Sequence, residues 1–384
     1  MRHNPTNCEV CSAIQNNPNL SNVAIARLAG TTEASVRRHK VPVSDVLGTK
    51  DEFFTDIPEA IITSRGRSIR TPDGSWQKVT YRPQDLAMYE SRTYDDLERA
   101  LANYTPEPAP PEDPAQPYGA TEVLCLADFQ LGKVASNGGT QETVDRVLHA
   151  VDRFCDKVRR THPIEILLFD LGDSLEGFDN VSSQRGTNDL DLTLQLRTVR
   201  RLFLEIIMRL APLTPKLVFV SIPSNHCQVR VGGGNKDLAS TPNNDWGIEV
   251  SHQLEDVLAD RHEYRHVSLI RTGGHDEAIT YTTHDGTVIG AVHGHQANKQ
   301  EQVGNWWRGQ SHGRRNNLHN ADLLLFGHFH NLSVAQSGDA RWAIGASSAD
   351  GGSDWFTNKT GESSIAGMTA FSVSDGMWRD LRIC

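Results

Sequence analysis

The sequence predicts an α/β protein in which a sandwich built on two β-sheets follows a small all-α module. Three observations support this prediction. From about residue 119, apolar strand-like segments first alternate with amphipathic helices and then give way to many short strands. A proline-rich stretch at 106–117 is too rich in proline for helix or sheet and is typical of an extended spacer. Near the N-terminus, two short helical segments meet at Gly30.

The chain has 384 residues, which is more than one domain usually contains. We predict an all-α module at 1–50, a small α+β connecting segment at 51–104, a proline-rich linker at 105–118 and a large domain at 119–384. Since no apolar run reaches the roughly 18 to 20 residues of a membrane helix, and the N-terminus lacks the apolar part of a signal peptide, we expect a cytoplasmic protein without membrane contact.

Charge and cysteine content limit the functional classes. The net charge of −10 argues against a protein that coats nucleic acid through bulk charge, although residues 1–50 carry six basic residues against three acidic ones. The six cysteines are scattered apart from Cys8 and Cys11, so a disulfide framework is not expected in this compartment. The Cys8-x-x-Cys11 pair leaves open either half of a zinc site or simple packing.

The N-terminal module carries a moderately specific pattern. A helix begins near Asn22 and ends at Gly30, which can take a left-handed turn conformation, and Val36 can pack the next helix back onto Ala26. The Ala26-x3-Gly30-x5-Val36 spacing resembles the helix-turn-helix family of DNA-binding modules. That resemblance implies a recognition helix at 31–38, and a helical bundle used for protein contacts is the alternative. The side chains then available to DNA are Thr32, Ser35, Arg37, Arg38 and His39.

Apolar runs and helical periodicity predict the remaining elements. A hairpin is expected at 61–69 and 76–81, and a helix at 94–104. In the large domain the expected helices are 140–160, 192–210 and 245–258. The expected strands are 123–126, 164–171, 217–222, 265–271, 278–283, 287–292, 322–326, 332–336, 341–344 and 368–373.

Five polar clusters each follow one of these strands. Because open α/β sheets place their ligands at the carboxyl ends of strands, we expect the clusters to meet at one edge. They supply carboxylate, amide and imidazole groups in numbers suited to two divalent ions, an arrangement that suits attack on phosphate esters. The clusters are Asp128-Phe-Gln130, Gly172-Asp173, Asn225-His226, His293-Gly-His295 and Gly327-His328-Phe-His330.

These clusters, in this order, resemble the motifs D-x-H, G-D, G-N-H, H and G-H-x-H of the calcineurin-like metallophosphoesterase superfamily. The resemblance covers about residues 120–375, and within the superfamily the chain is similar to phage-encoded relatives and to SbcD-type DNA nucleases. It implies a four-layer α/β/β/α sandwich. It also implies a general acid, His226, that protonates or steadies the leaving oxygen.

The resemblance assigns the metal ligands residue by residue. It gives Asp173 to both ions as a bridge. The first ion is assigned Asp128, His330 and the position of Gln130. The second ion is assigned Asn225, His293 and His328. We further expect His295 to support the site or touch phosphate, and two arginines, Arg230 and Arg314, to contact the substrate.

One departure from the family pattern affects the first ion. Gln130 stands where the family usually has histidine, and an amide oxygen is a weaker and harder ligand than imidazole. This favours Mn²⁺ as the bound ion, with Mg²⁺, Fe and Zn²⁺ as alternatives. It also leaves open a degenerate, single-metal or inactive site.

Together these patterns predict a binuclear-metal-dependent phosphodiester hydrolase, a DNA exonuclease or endonuclease acting in DNA processing or repair. If the gene is phage-encoded, the protein would act in the host cytoplasm. Two alternatives remain: a small-molecule phosphodiesterase or phosphatase, for instance on cyclic nucleotides, and a DNA-binding regulator with a degenerate metal site. DNA is the expected partner, and the sequence leaves open a homodimer and an ATPase partner.

Overall fold

The computed structural model describes residues 9–16, 21–32, 36, 67–70, 76–79, 96–105, 119–178, 180, 184, 188–231, 238–313, 317–352 and 364–384. The chain divides into two compact units, Met1–Pro58 and Glu59–Cys384. The predicted linker lies almost entirely outside the described residues.

The N-terminal unit contains two helices, α1 (Glu9–Asn16) and α2 (Asn22–Leu28). Ser21 caps α2, since its hydroxyl accepts a hydrogen bond from Ala24 N at 3.3 Å. Gly30 follows with φ +59° and leads the chain away from the helix.

Val36 is fully buried and packs with Ile25 and Ala26, as the helix-turn-helix spacing predicts. Thr32 is exposed, and its carbonyl accepts from Val36 N at 3.1 Å. The other side chains assigned to DNA lie outside the described residues, so the recognition helix stays a prediction. They are Ser35, Arg37, Arg38 and His39.

The larger unit begins with a two-stranded antiparallel pair, β1 (Arg67–Arg70) and β2 (Trp76–Val79), within the predicted hairpin. Residues 96–103 are helical, in agreement with the helix expected at 94–104.

A six-stranded sheet forms the first half of the sandwich. Four neighbouring strands are parallel to one another. At one edge the sheet continues with two further strands, each antiparallel to the strand beside it. In spatial order the strands are β13 (Met377–Ile383), β12 (Thr369–Ser374), β3 (Thr121–Leu126), β4 (Glu165–Asp170), β5 (Leu217–Ser221) and β6 (Val267–Arg271).

Three helices connect the parallel strands: α3 (Thr140–Thr161), α4 (Leu192–Leu210) and α5 (Trp246–Leu258). Aspartates cap two of them, because Asp191 accepts from Leu194 N and Asp245 accepts from Gly247 N and Ile248 N. The apolar faces of these helices pack on one face of the sheet, and the parallel strands β3, β4 and β5 are buried on both sides.

A five-stranded sheet forms the second half. In spatial order it contains β10 (Ser333–Gln336), β11 (Trp342–Gly345), β9 (Leu323–Phe326), β8 (Val288–Val292) and β7 (Ala278–Thr282). The three central strands, β11, β9 and β8, are parallel, and the two outer ones are antiparallel.

Alternation along the strands sets the order of the layers. Val123, Cys125 and Phe169 of the first sheet pack against Ile289 and Leu325 of the second, which makes the core between the sheets. The neighbouring residues in each strand point the other way, towards the outer helices. On the second sheet that outer layer is α6 (Val303–Gly313).

Every helix and strand predicted between residues 119 and 374 is present, with boundaries within two residues, and the mixed α/β class is confirmed. In the described part of the large domain, one α-helix and one strand were not predicted. Helix α6 is rich in glycine and polar residues, and only Val303 and Trp307 on it are fully buried. Strand β13 is an edge strand with charged residues that hide the alternation of a strand. Among the described helices, none is both long and apolar enough to cross a membrane.

Candidate metal centre

The five polar clusters converge at one edge of the sandwich. Three of them follow β3, β4 and β5 in the first sheet, and two follow β8 and β9 in the second. Contacts between the sheets join them, since His328 N donates to both carboxylate oxygens of Asp128 at 3.0 and 2.9 Å. His293 Nε2 lies 3.1 Å from Asp173 Oδ2. The polar groups that follow these strands therefore contact one another at one edge, where they were expected.

The backbone at this edge is in an unusual conformation. Nine non-glycine residues of the described chain have positive φ, and five of them are predicted metal ligands. Such conformations are costly for residues with a Cβ and persist where the surrounding structure fixes them, often at functional sites. The five ligands are Asp128, Gln130, Asp173, His328 and His330.

Asp173 is the centre of the cluster and is 1% exposed. Its Oδ1 accepts from His226 N at 2.9 Å, and its own N–H donates to Ser224 Oγ at 2.7 Å. Burial raises the pKa of Asp173, but the charges of His293 and His226 outweigh that effect and hold the pKa well below its usual range. Asp173 is therefore a buried, ionised carboxylate fixed from two sides.

The groups around His293 have the chemistry of a cation site. His293 Nδ1 lies 2.7 Å from Leu171 O, which can only accept, so the neutral ring carries its lone pair on Nε2. That atom faces Asp173 Oδ2 at 3.1 Å and Asn225 Oδ1 at 2.9 Å. Three such lone pairs repel unless a proton or a cation lies among them. The pKa of His293 is about 9, so in the absence of metal a proton fills this position at neutral pH, and a divalent ion that took its place would find three ligand atoms.

His328 completes this set. Asp173, His293 and His328 can each offer one ligand atom, and those atoms lie within 4.8 Å of one another. Burial and the neighbouring His293 lower the pKa of His328 to about 3, so its imidazole is neutral and able to ligate. By contrast, burial lowers the pKa of His293, but Asp173 outweighs it and raises the pKa to about 9. The second ion of the predicted pair thus has a preformed set of ligands.

His226 lies at the rim of the same cluster. Its Nδ1 is 3.0 Å from the backbone oxygen of Glu176, to which it can donate, 3.3 Å from Glu176 Oε2 and 3.0 Å from Gln184 Nε2. Its Nε2 then faces the centre, 3.9 Å from Asp173 Oδ2. Burial lowers the pKa of His226, but Asp173 and Glu176 outweigh it and raise the pKa to about 9. The ring is held in one orientation and carries a proton at neutral pH.

The side assigned to the first ion is arranged differently. Asp128 is fully buried, and its Oδ1 lies 3.7 Å from His330 Nε2. Burial raises the pKa of Asp128, and the charge of His330 offsets only part of that rise. Both oxygens of Asp128 already accept from His328 N, so this carboxylate also serves to fix the last motif.

The side-chain oxygen of Gln130 already accepts a hydrogen bond from a lysine. Its Oε1 accepts from Lys133 Nζ at 2.7 Å, and the same ammonium pairs with Asp350 Oδ2 at 2.5 Å. Asp350 Oδ2 also lies 3.5 Å from His330 Nδ1. Burial raises the pKa of Asp350, but Lys133 and His330 together lower it below its usual range. A lysine and an acid therefore lie among the ligands assigned to the first ion.

A second network flanks the site on the side of β7 and β8. His295 Nε2 lies 3.6 Å from Glu277 Oε1, and this histidine, together with Gln296 and Gln228, lowers the pKa of Glu277 to about 2. Arg230 donates to Gln228 Oε1 at 2.8 Å. The supporting role of His295 and the substrate contact of Arg230 stay predictions.

Four residues of the site were missed by sequence reasoning: Lys133, Glu176, Glu277 and Asp350. Asp350 could have been found, because it follows β11, whose end lies at the same edge as that of β9. Glu176 lies three residues after Asp173, which is a weaker signal.

Arg314, which was predicted to contact the substrate, lies outside the described residues. Trp307, in the same stretch between the last two histidine motifs, is 1% exposed, and its Nε1 donates to Leu318 O at 2.9 Å, so it belongs to the core.

Comparisons with known proteins add little to this geometry. Neither a protein-family model nor a curated protein matches the chain. Solved structures that match include Vps29 from Entamoeba histolytica, complexed with Zn²⁺, at 11% identity over 67% of this chain and 96% of that one, with a TM-score of 0.30.

Two further matches have similar values. Vps29 from Chaetomium thermophilum is 14% identical over 66% of this chain and 86% of that one, with a TM-score of 0.31. A conserved uncharacterized protein from Streptococcus pneumoniae, described as a predicted phosphoesterase, is 10% identical over 67% and 86%, with a TM-score of 0.27. Similarity this low identifies no family, so the assignment depends on the residues of the site.

Proposed function

We propose that this protein is a divalent-ion-dependent phosphodiester hydrolase of the calcineurin-like metallophosphoesterase type, and that its substrate is DNA. The observation that carries the proposal is the convergence of Asp173, Asn225, His293 and His328 on one point, with His226 beside them. The chemistry that a divalent ion supplies at such ligands is polarisation of a phosphoryl oxygen and activation of water for attack.

The chain's own residues supply the proton for the leaving group. Glu176 holds Nδ1 of His226, so the proton on Nε2 faces the substrate side of the cluster. A departing alkoxide is a strong base and takes that proton as the ester bond breaks, which is general acid catalysis. Asp173 accepts from the backbone N–H of His226 and so fixes the loop that carries the acid.

A simple assay tests the hydrolase. Purified full-length protein with Mn²⁺ should cleave bis-p-nitrophenyl phosphate. On a dinucleotide, whose departing alkoxide needs a proton, His226→Ala should reduce kcat by about 10²- to 10⁴-fold. His252→Ala is the matched control, because His252 is exposed on α5 and should leave kcat unchanged. Equal activity of wild type and His226→Ala would contradict the assigned acid.

The substrate class needs a separate comparison. We expect cleavage of linear or single-stranded DNA under conditions in which cyclic AMP and simple phosphomonoesters are not hydrolysed. Hydrolysis of the small esters alone would instead favour the small-molecule phosphodiesterase. Failure to bind any divalent ion would favour the DNA-binding regulator.

The N-terminal module supports DNA as the substrate through the basic residues of its predicted recognition helix at 31–38. Changing Arg37 and Arg38 together to alanine in the full chain should weaken DNA binding without altering hydrolysis of the small ester. If each arginine contacts one phosphate, the slope of log affinity against log salt should fall by about two. Arg27→Ala is the control, since Arg27 is exposed on α2. An unchanged slope in the double variant would refute the DNA-binding helix.

A further inference from the structure

We propose that the ammonium group of Lys133 takes the place of the first metal ion, so that the site binds one divalent ion beside a fixed organic cation. This inference rests on the proposed function and specifies its cofactor requirement. The one ion belongs to the set formed by Asp173, Asn225, His293 and His328, which fits a cation as described above.

The ammonium group of Lys133 lies against the oxygen that Gln130 would offer to a metal. Lys133 Nζ lies 2.7 Å from Gln130 Oε1, the single oxygen that Gln130 could offer to a metal. It also lies 2.5 Å from Asp350 Oδ2, which is close to Nδ1 of His330. An ion ligated by Gln130 would have to displace this ammonium or lie beside it.

Removing Lys133 from this position is costly. The side chain of Lys133 is 13% exposed and that of Asp350 is 5% exposed, so the pair is shielded from water. Breaking a shielded ion pair leaves an uncompensated buried charge, which is strongly unfavourable. A second divalent ion would therefore have to repay this cost and also overcome repulsion from the displaced lysine.

The other ligands assigned to the first ion, Asp128 and His330, are not arranged around a common point. Asp128 already accepts from His328 N with both oxygens, and His330 Nε2 is 3.7 Å from Asp128 Oδ1. Within the described residues, neither Asp128 nor His330 belongs to a compact group of three His, Cys, Asp or Glu ligands like the one formed by Asp173, His293 and His328. The residues on this side do not fit a tightly bound ion.

In the reaction, the ammonium group of Lys133 can take over a role that a metal ion would otherwise have. An ammonium group carries three donors, and the described hydrogen bonds of Lys133 use two of them. The third can donate to a phosphoryl oxygen and offset the charge that develops there. Because Gln130 and Asp350 hold the group in place, the charge is fixed before the substrate arrives.

Metal stoichiometry tests this inference without relying on activity. Mn²⁺ is titrated into the full-length protein by calorimetry, and electron paramagnetic resonance is recorded on the loaded sample. Wild type should bind one Mn²⁺ per chain and show the spectrum of an isolated ion. Two ions of similar affinity with an exchange-coupled spectrum would overturn the inference, and this arm needs no variant.

Variants then assign the effect to the lysine. Lys133→Met combined with Gln130→His removes the charge and restores the family's imidazole, so the affinity for a second Mn²⁺ should rise by about 10²- to 10³-fold. The matched control is Lys157→Met. Lys157 is 15% exposed and pairs with buried Glu122 at 3.0 Å, at the opposite ends of the strands.

The outcomes separate this inference from the proposed function. A coupled spectrum that appears only in the Lys133→Met/Gln130→His variant supports the inference, and a variant that folds but still binds one ion contradicts it. Hydrolysis of the diester by wild type with two bound ions would leave the proposed function standing and overturn the inference alone. Failure of wild type to bind any ion would overturn both.

Discussion

Replacing Asp173 by asparagine is the most informative single change, because it removes one charge and keeps the shape of the side chain. The carboxylate lies 3.1 Å from His293 Nε2 and fixes His226 N through Oδ1. The asparagine oxygen can still accept from His226 N, so the loop that follows β5 should stay in place. The lost charge is then the main difference between the two proteins.

The size of the effect follows from electrostatics. Two unit charges about 4 Å apart interact by about 4 kcal/mol at an effective dielectric constant of about 20. A divalent ion bound directly to the carboxylate is closer and carries twice the charge, so this value is a lower bound. We therefore expect Asp173→Asn to weaken Mn²⁺ binding by at least about 10³-fold.

Isothermal titration calorimetry at about pH 6 measures the effect, with Asp170→Asn as the matched control. Asp170 is 1% exposed, and burial raises its pKa to about 7, so at that pH it is mostly protonated and asparagine resembles it. The control should bind Mn²⁺ nearly as wild type does. If Asp173→Asn also bound Mn²⁺ like wild type while remaining folded, the assignment of the metal centre would be wrong.

Three further predictions concern pH, geometry and packing. Burial raises the pKa of Asp189 to about 7, so the stability that its proton provides in acid is lost as pH rises from about 4 to about 7. Asp189→Asn, which keeps an acceptor for Thr140, should flatten that slope in urea titrations by on the order of 1 kcal/mol per pH unit, and an unchanged slope would refute the protonated state. Gly327→Ala places a Cβ 2.6 Å from Asp128 Oδ2 and should lower Mn²⁺ affinity by about 10- to 100-fold in calorimetry, whereas wild-type affinity would show that the loop can adapt. Phe203→Ala should cost about 3 to 5 kcal/mol in urea unfolding, since the ring is 1% exposed in the core, and a loss below about 1 kcal/mol would contradict that packing.

The sequence could predict which side chains meet at the candidate metal centre because their signal is local. Asp128, Asp173, Asn225, His293 and His328 each follow an apolar run long enough to form a buried strand. The end of a parallel strand is a place where the chain can leave the core and present polar groups, so position along the chain implies position in space. Periodicity likewise predicted α3, α4 and α5, since each buries a continuous apolar face.

The tertiary structure alone decided which charged side chains lie next to these residues. Lys133 and Asp350 are 217 residues apart in the chain, and they meet because β11 lies beside β9 and its end reaches the same edge as that of β3. Neither residue belongs to a periodic pattern, and the neighbours of a strand in a sheet cannot be read from its own residues. Whether Gln130 faces a metal or an ammonium group therefore depends on a contact that forms only when both sheets are assembled.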